Sequence, residues 1–188
     1  MIDDIHATTV VGIVRNGKAA MAADGQVTLG ETVIKSTARK IRKLYSGSVL
    51  VGFSGTGADA FALVERLEEK LETARGNLPR AAVDLAREWR SDKYLRQLHA
   101  LIAAVDKDHA LLIGGSGEVV EAEDGIVAVG SGQSYALAAA RALDAHTKMG
   151  PAKIARESIE IASGICIYTN DKIIIEELKP KRRRPVKK

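Results

Sequence analysis

Cysteine is nearly absent from this sequence, with Cys166 the single one in 188 residues. That excludes an internal disulfide framework and leaves no thiolate set for a structural zinc. Aromatic residues are also scarce, at 4% against 46% hydrophobic residues overall. The core must therefore be aliphatic and alanine-rich, and a surface built to stack nucleic-acid bases has little to draw on. No stretch approaches the roughly 20 apolar residues that cross a bilayer. Residues Met1 to Ala7 lack the basic start and apolar run of a signal peptide. The expectation is a cytoplasmic protein of one domain, with no membrane contact and a sizeable core.

Charge of one sign is missing too, once its distribution is considered. The formal net charge is +4, but Lys179 to Lys188 holds seven of the 28 basic residues. Without that segment 21 basic residues face 24 acidic ones, a body of −3. The basicity belongs to a terminal segment, expected to be a solvated, disordered tail. Nucleic-acid binding through it is the least favoured reading.

Hydrophobic periodicity gives the order of elements. Thr8 to Arg15 reads as a strand, Asn16-Gly17 as a tight hairpin turn, and Ala19 to Ala23 as the returning strand. Asp24 is then expected near the start of the first strand. Thr28 to Lys35 reads as a short extended pair, Lys40 to Tyr45 and Val49 to Phe53 as another hairpin, giving antiparallel sheet with one wet face. The period then lengthens: Phe61, Val64, Leu67 and Leu71 share a helical face, and Ala81, Ala82, Leu85, Ala86 and Trp89 form a second stripe behind an Asn77 cap and Pro79. Strands return at Ala100 to Val105, Ala110 to Ile113, Val119-Val120 and Ile126 to Val129. Helices follow near Tyr135 to Ala145 and from Pro151, with Ile154, Ser158, Ile161 and Ala162 on one side. Ile165 to Thr169 and Ile173 to Glu177 read as closing strands. This order predicts an α+β, four-layer αββα sandwich: two antiparallel sheets, each covered by a helix pair.

Several chemical motifs fail on inspection. Gly55-Thr56-Gly57-Ala58-Asp59-Ala60 fits a dinucleotide fingerprint, but it leads into a helix pair and not back to a parallel strand. Gly30 to Ser36 ends Lys-Ser like a phosphate loop, yet Ile34 stands where the glycine belongs. Neither Ser54 nor Ser131 has both glycines of a hydrolase elbow. The histidines, His6, His99, His109 and His146, have no paired ligand spacing. What remains is Thr8-Thr9 opening an apolar run. Cleavage of the Ala7–Thr8 bond would give Thr8 a hydroxyl and a free α-amine, a nucleophile and its own base.

Thr8-Thr9-Val10-Val11, Ala23-Asp24-Gly25-Gln26-Val27-Thr28-Leu29-Gly30, Arg39-Lys40-Ile41-Arg42-Lys43-Leu44, Gly52-Phe53-Ser54-Gly55, Ala58-Asp59-Ala60-Phe61, Glu88-Trp89-Arg90, Gly130-Ser131-Gly132 and Ile165-Cys166-Ile167-Tyr168-Thr169-Asn170 occur in one register over Thr8 to Leu178. Together they resemble the HslV (ClpQ) family of bacterial proteasome-like, N-terminal-nucleophile hydrolases. The resemblance implies a leader, 1–7, removed on maturation, a peptidase domain over 8–178, and a tail, 179–188, beyond the family's usual end. It implies Thr8 as nucleophile and amine base, Lys40 beside it, Asp24 holding Lys40, Ser131 near the amine, and a Gly55 N–H for the oxyanion. A sodium-type cation held by main-chain oxygens of Ser163, Cys166 and Thr169 is implied, with no cofactor for the chemistry. The implied assembly is a homododecamer of two stacked hexameric rings, fed with unfolded proteins by the hexameric AAA+ unfoldase HslU (ClpY), which binds the ATP. Ala7 stands where many members have glycine. A small-molecule amidase of the same fold is the alternative, distinguished by a small open oligomer.

Overall fold

The computed structural model describes residues 5–6, 8–55, 57–98 and 100–178. The expected tail 179–188, most of the leader, Thr56 and His99 lie outside the described residues. Among the described residues, twelve strands and four α-helices follow in the expected order of strands, helix pair, strands, helix pair and strand. The first sheet contains β2 (Thr9–Arg15), β3 (Lys18–Ala23), β11 (Ile126–Gly130) and β12 (Ile174–Glu177) in the order β11-β2-β3-β12. The second contains β6 (Ile41–Leu44), β7 (Val49–Gly55), β8 (Ala100–Val105), β9 (Ala110–Gly114) and β10 (Val119–Glu121) in the order β10-β9-β8-β7-β6. A small third sheet joins β1 (Ile5–His6), β4 (Val27–Leu29) and β5 (Thr32–Lys35). Among the described residues all pairings are antiparallel, so no parallel strand is there to serve a dinucleotide at the glycine-rich run after β7.

Three apolar clusters define the layers. Helices α1 (Gly57–Thr73) and α2 (Leu78–Ser91) bury Leu63, Leu67, Leu71, Leu85 and Trp89 on the outer face of the second sheet. Helices α3 (Gln133–His146) and α4 (Pro151–Ser163) bury Ala136, Ala140, Ile154, Ala155 and Ile159 on the outer face of the first. Between the sheets lie Val10, Met21, Leu50, Val105 and Val129. Because helices cover both outer faces, β2 is buried continuously from Thr9 to Ile13, in place of the expected wet face. Asn77 caps α2 by accepting the Arg80 N–H at 3.0 Å.

Three expectations are corrected. Phe61 is 45% exposed, while Leu63 takes the buried position; at the start of the second turn of α1 the Phe61 ring meets Phe53 and lies under the Arg42 guanidinium. Ile161 is also 45% exposed: Ile154, Ser158 and Ala162 are buried as expected, but the stripe widens toward Ala155 and Ile159 and leaves Ile161 outside. Ile165 to Thr169 is not a strand but a loop. The N–H groups of Ile165 and Cys166 turn back to the Ala162 carbonyl and that of Thr169 to the Cys166 carbonyl.

The sheets approach most closely at Gly52, where a Cβ would stand 2.4 Å from Val10 Cγ1 and 3.0 Å from the Met21 sulfur. Gly52→Ala should cost about 1–3 kcal/mol through overpacking, lowering the thermal midpoint by roughly 2–4 °C per kcal/mol. Gly150→Ala, where a Cβ meets nothing within 4 Å, should stay within about 0.5 kcal/mol. Parallel melts at one protein concentration check both.

Candidate active site

Threonine, aspartate and lysine meet at one end of the sandwich because three chain segments pass there. The β2–β3 hairpin pairs Val10 with Ala23, which returns Asp24 to the start of β2, and the Asp24 N–H donates to the Thr9 carbonyl at 3.2 Å. Lys40 enters immediately before β6, whose Ile41 pairs with Gly52 of β7. The side chains of Asp24 and Lys40 are 0% and 4% exposed. The Lys40 ammonium donates to Asp24 Oδ1 at 2.7 Å, and the Thr9 N–H donates to the same oxygen at 2.8 Å. Lys40 is thus held one carboxylate oxygen away from the peptide nitrogen that follows Thr8. Asp24 Oδ2 accepts the Gln26 N–H at 2.8 Å and the Asn170 N–H at 3.3 Å.

Burial holds the Lys40 pKa below the ordinary lysine value, with the Asp24 charge and hydrogen bond opposing the shift. Desolvation is the largest influence, so the ammonium depends on its carboxylate partner to stay charged.

Thr8 is buried, and its carbonyl accepts the Ser131 N–H at 2.8 Å. Gly130 makes this approach possible: its φ is +100°, and a Cβ there would lie 1.9 Å from the Thr8 oxygen. Ser131 itself is exposed. Gly55 ends β7 with φ +121°, at the end of the second sheet where Lys40 enters. Thr8, Asp24, Lys40 and the Ser131 backbone are therefore brought together, with Gly55 on the same rim.

Contacts that sequence reasoning assigned no role complete the site. The Thr9 and Thr169 hydroxyls lie 2.6 Å apart, and the Gly132 N–H donates to Thr9 Oγ1 at 3.0 Å. The Gln26 amide donates to Thr28 Oγ1 and to the Ile167 carbonyl. Asn170 reaches Gly25 and Ser36. The sequence signal was that these residues, Ser36 excepted, fall inside the quoted motifs.

The loop after α4 carries Ser163, Cys166 and Thr169. The Ser163 hydroxyl turns back to the Glu160 carbonyl, Thr169 Oγ1 is engaged with Thr9, and the Cys166 thiol is buried. The Ser163 and Thr169 hydroxyls are thus engaged elsewhere, and the Cys166 carbonyl already accepts the Thr169 N–H at 3.0 Å; main-chain carbonyls are donors of a kind suited to a hard cation.

This geometry fits a family. Residues 5–178 match the proteasome subunit family, and the chain belongs to it. Among its relatives, ATP-dependent protease subunit HslV of Chlorobium luteolum is 58% identical over 174 residues, covering 93% of this chain and 96% of that one. The protein of the same name from Aquifex aeolicus is 57% identical, covering 93% and 99%. The crystal structure of eukaryotic HslV from Trypanosoma brucei superposes with a TM-score of 0.86 at 41% identity, covering 92% of this chain and 99% of that one. Thiobacillus denitrificans BPH, at 18% identity and TM-score 0.68, covers 92% of this chain and 100% of that one and shares the fold.

Lys40 sets a pH dependence of stability. Its folded pKa lies below its unfolded value of 10.5, so the unfolded chain binds more protons between the two values and stability rises with pH there. The unfolding free energy of the wild type should therefore gain on that of Lys40→Met as pH climbs through this window. Denaturant unfolding of both proteins at stepped pH measures the difference.

Proposed function

We propose that this chain is the peptidase subunit of an ATP-dependent protein-degradation complex, a threonine protease whose nucleophile is Thr8 after removal of residues 1–7. The observation that carries the reading is the Asp24 oxygen shared by Lys40 Nζ and the Thr9 N–H, beside Thr8, which a cut of the Ala7–Thr8 bond would make an N-terminal nucleophile. The relatives named protease subunits support it over nearly the whole chain.

In the full-length chain the Thr8 nitrogen belongs to the peptide bond with Ala7 and cannot accept a proton. Once freed, its amine has an ordinary pKa of about 7.7–8.0, and the Lys40 ammonium lowers it by like-charge repulsion. The neutral amine takes the Oγ1 proton as the oxygen attacks the substrate carbonyl. The tetrahedral oxyanion meets the Gly55 N–H. The protonated amine then gives its proton to the departing nitrogen, leaving an ester on Thr8. Water, deprotonated by the same amine, hydrolyses that ester and restores the hydroxyl. Asp24 keeps Lys40 charged throughout, and Ser131 holds the Thr8 main chain. The edge of β4, which pairs with Ile5–His6 of the leader, offers main-chain partners to an extended peptide in the same manner.

The assembly that follows from this reading is two stacked hexameric rings enclosing the nucleophiles. A hexameric AAA+ unfoldase of the HslU (ClpY) type binds ATP and threads unfolded proteins in. The Ser163, Cys166 and Thr169 carbonyls hold a sodium-type cation that stiffens the loop, with no part in bond cleavage. The complex is cytoplasmic; among the described residues no helix is long and apolar enough to cross a membrane.

Intact-mass analysis of the purified protein should show loss of Met1 to Ala7. Thr8→Ala should lower peptide hydrolysis by about 1,000-fold or more. Hydrolysis at the wild-type rate in Thr8→Ala would overturn the reading.

A further inference from the structure

Asn170 lies in the loop between α4 and β12, more than 130 positions from every site segment it touches. Its backbone N–H donates to Asp24 Oδ2 at 3.3 Å. Its side-chain oxygen accepts the Gly25 N–H and the Lys172 N–H, both at 3.1 Å. Its side-chain nitrogen donates to the Ser36 carbonyl at 3.0 Å. One amide therefore bridges the segment leaving Asp24 and the segment approaching Lys40. Those segments are already in backbone contact: the Ala38 N–H donates to the Gly25 carbonyl at 2.9 Å, and a Cβ on Gly25 would stand 2.3 Å from the Ser36 oxygen. Such a contact is tight but can slide along the chain, and a planar amide with a donor on one segment and an acceptor on the other opposes sliding.

We infer that Asn170 is a positioning residue of the proposed peptidase site, fixing the register of the Asp24 segment against the Lys40 segment so that the ammonium meets Asp24 Oδ1. This rests on the threonine-protease reading of the same site. Asn170 touches no reacting atom and acts through Asp24. Lys40 is buried deeply enough for its ammonium to depend on that carboxylate, so loosening the register lets Lys40 lose its proton at lower pH. The α-amine then loses the like charge that keeps it basic-form at neutral pH. Thr169 clamps the Thr9 side of the site through its hydroxyl, which leaves Asn170 to govern the Lys40 side.

The test uses the full chain after maturation, with steady-state hydrolysis of a small chromogenic peptide followed from pH 6 to pH 10. Asn170→Ala should lower kcat about 10-fold, a loss of about 1.4 kcal/mol in transition-state stabilisation, with KM within about 2-fold. Its alkaline limb should move toward lower pH. Asn170→Asp, which keeps the acceptor for Gly25 and Lys172 but turns a carboxylate oxygen toward the Ser36 carbonyl and adds a negative charge near Asp24, should fold where the alanine variant does not and should also show reduced kcat at unchanged KM. Unchanged kcat and pH profile in the alanine variant overturn the inference. So does a fall in melting temperature and kcat with no displacement of the limb, which is the signature of a structural role only. Unaltered kcat in Asn170→Asp overturns it where the alanine variant fails to fold. Thr8→Ala, assayed beside them, separates the two failures. If it is inactive while Asn170→Ala behaves as wild type, only the inference falls; if it stays active, the protease reading falls with it.

Discussion

A single fully buried carboxylate organises this protein. Asp24 is 0% exposed and accepts four hydrogen bonds, from the Thr9, Gln26 and Asn170 main chain and from the Lys40 ammonium. Removing such a group from water costs several kcal/mol, offset only when its lone pairs are filled in good geometry. The partners come from the start of β2, the turn after β3, the approach to β6 and the loop after α4. These segments must converge for the carboxylate to be tolerated. The charge that threatens stability therefore also enforces the arrangement, and fold and site cannot be altered independently here.

Much of the layering was legible because periodicity reports burial directly. The helix pairs, the Asn77 cap and most strands follow from spacing alone, and the α2 stripe from Ala81 to Trp89 is buried as written. The misreadings share a cause. Phe61 and Ile161 are apolar residues on the boundary of a stripe, where a turn of one position separates inside from outside, and only the neighbouring sheet decides. Ile165 to Thr169 is rich in β-branched and aromatic residues, which favour strands on average. Its hydrogen bonds go instead to the end of α4, to Gln26 and to Thr9, partners that no local pattern displays.

The site was legible in unequal parts. Asp24 could be placed beside β2 from the hairpin geometry, since a two-residue turn fixes which ends meet. Lys40 could not, because a lysine in the run Arg39 to Lys43 looks like the wet face of a strand, and only the motif resemblance singled it out. The hydroxyl contact of Thr169 with Thr9 and the contacts of Asn170 were not foreseen, as their partners lie up to 160 positions away in the chain. A residue whose work is to hold two remote segments in register leaves no periodic trace.

The same pattern bears on maturation. Asp24, Lys40 and the Thr9 N–H are already bonded in the full-length chain, where the Thr8 nitrogen is still an amide. On the proposed mechanism, cleavage of the leader then has no machinery to assemble. It adds one amine to a site that already holds a positive charge, and the amine meets that charge by staying neutral. Protonation of the new terminus is disfavoured by the same ammonium that the developing alkoxide needs, so one preformed ion pair serves both the base and the nucleophile. A site organised the other way, with Lys40 recruited only after cleavage, would have to bury a second charge during maturation and would leave Asp24 short of a donor until then.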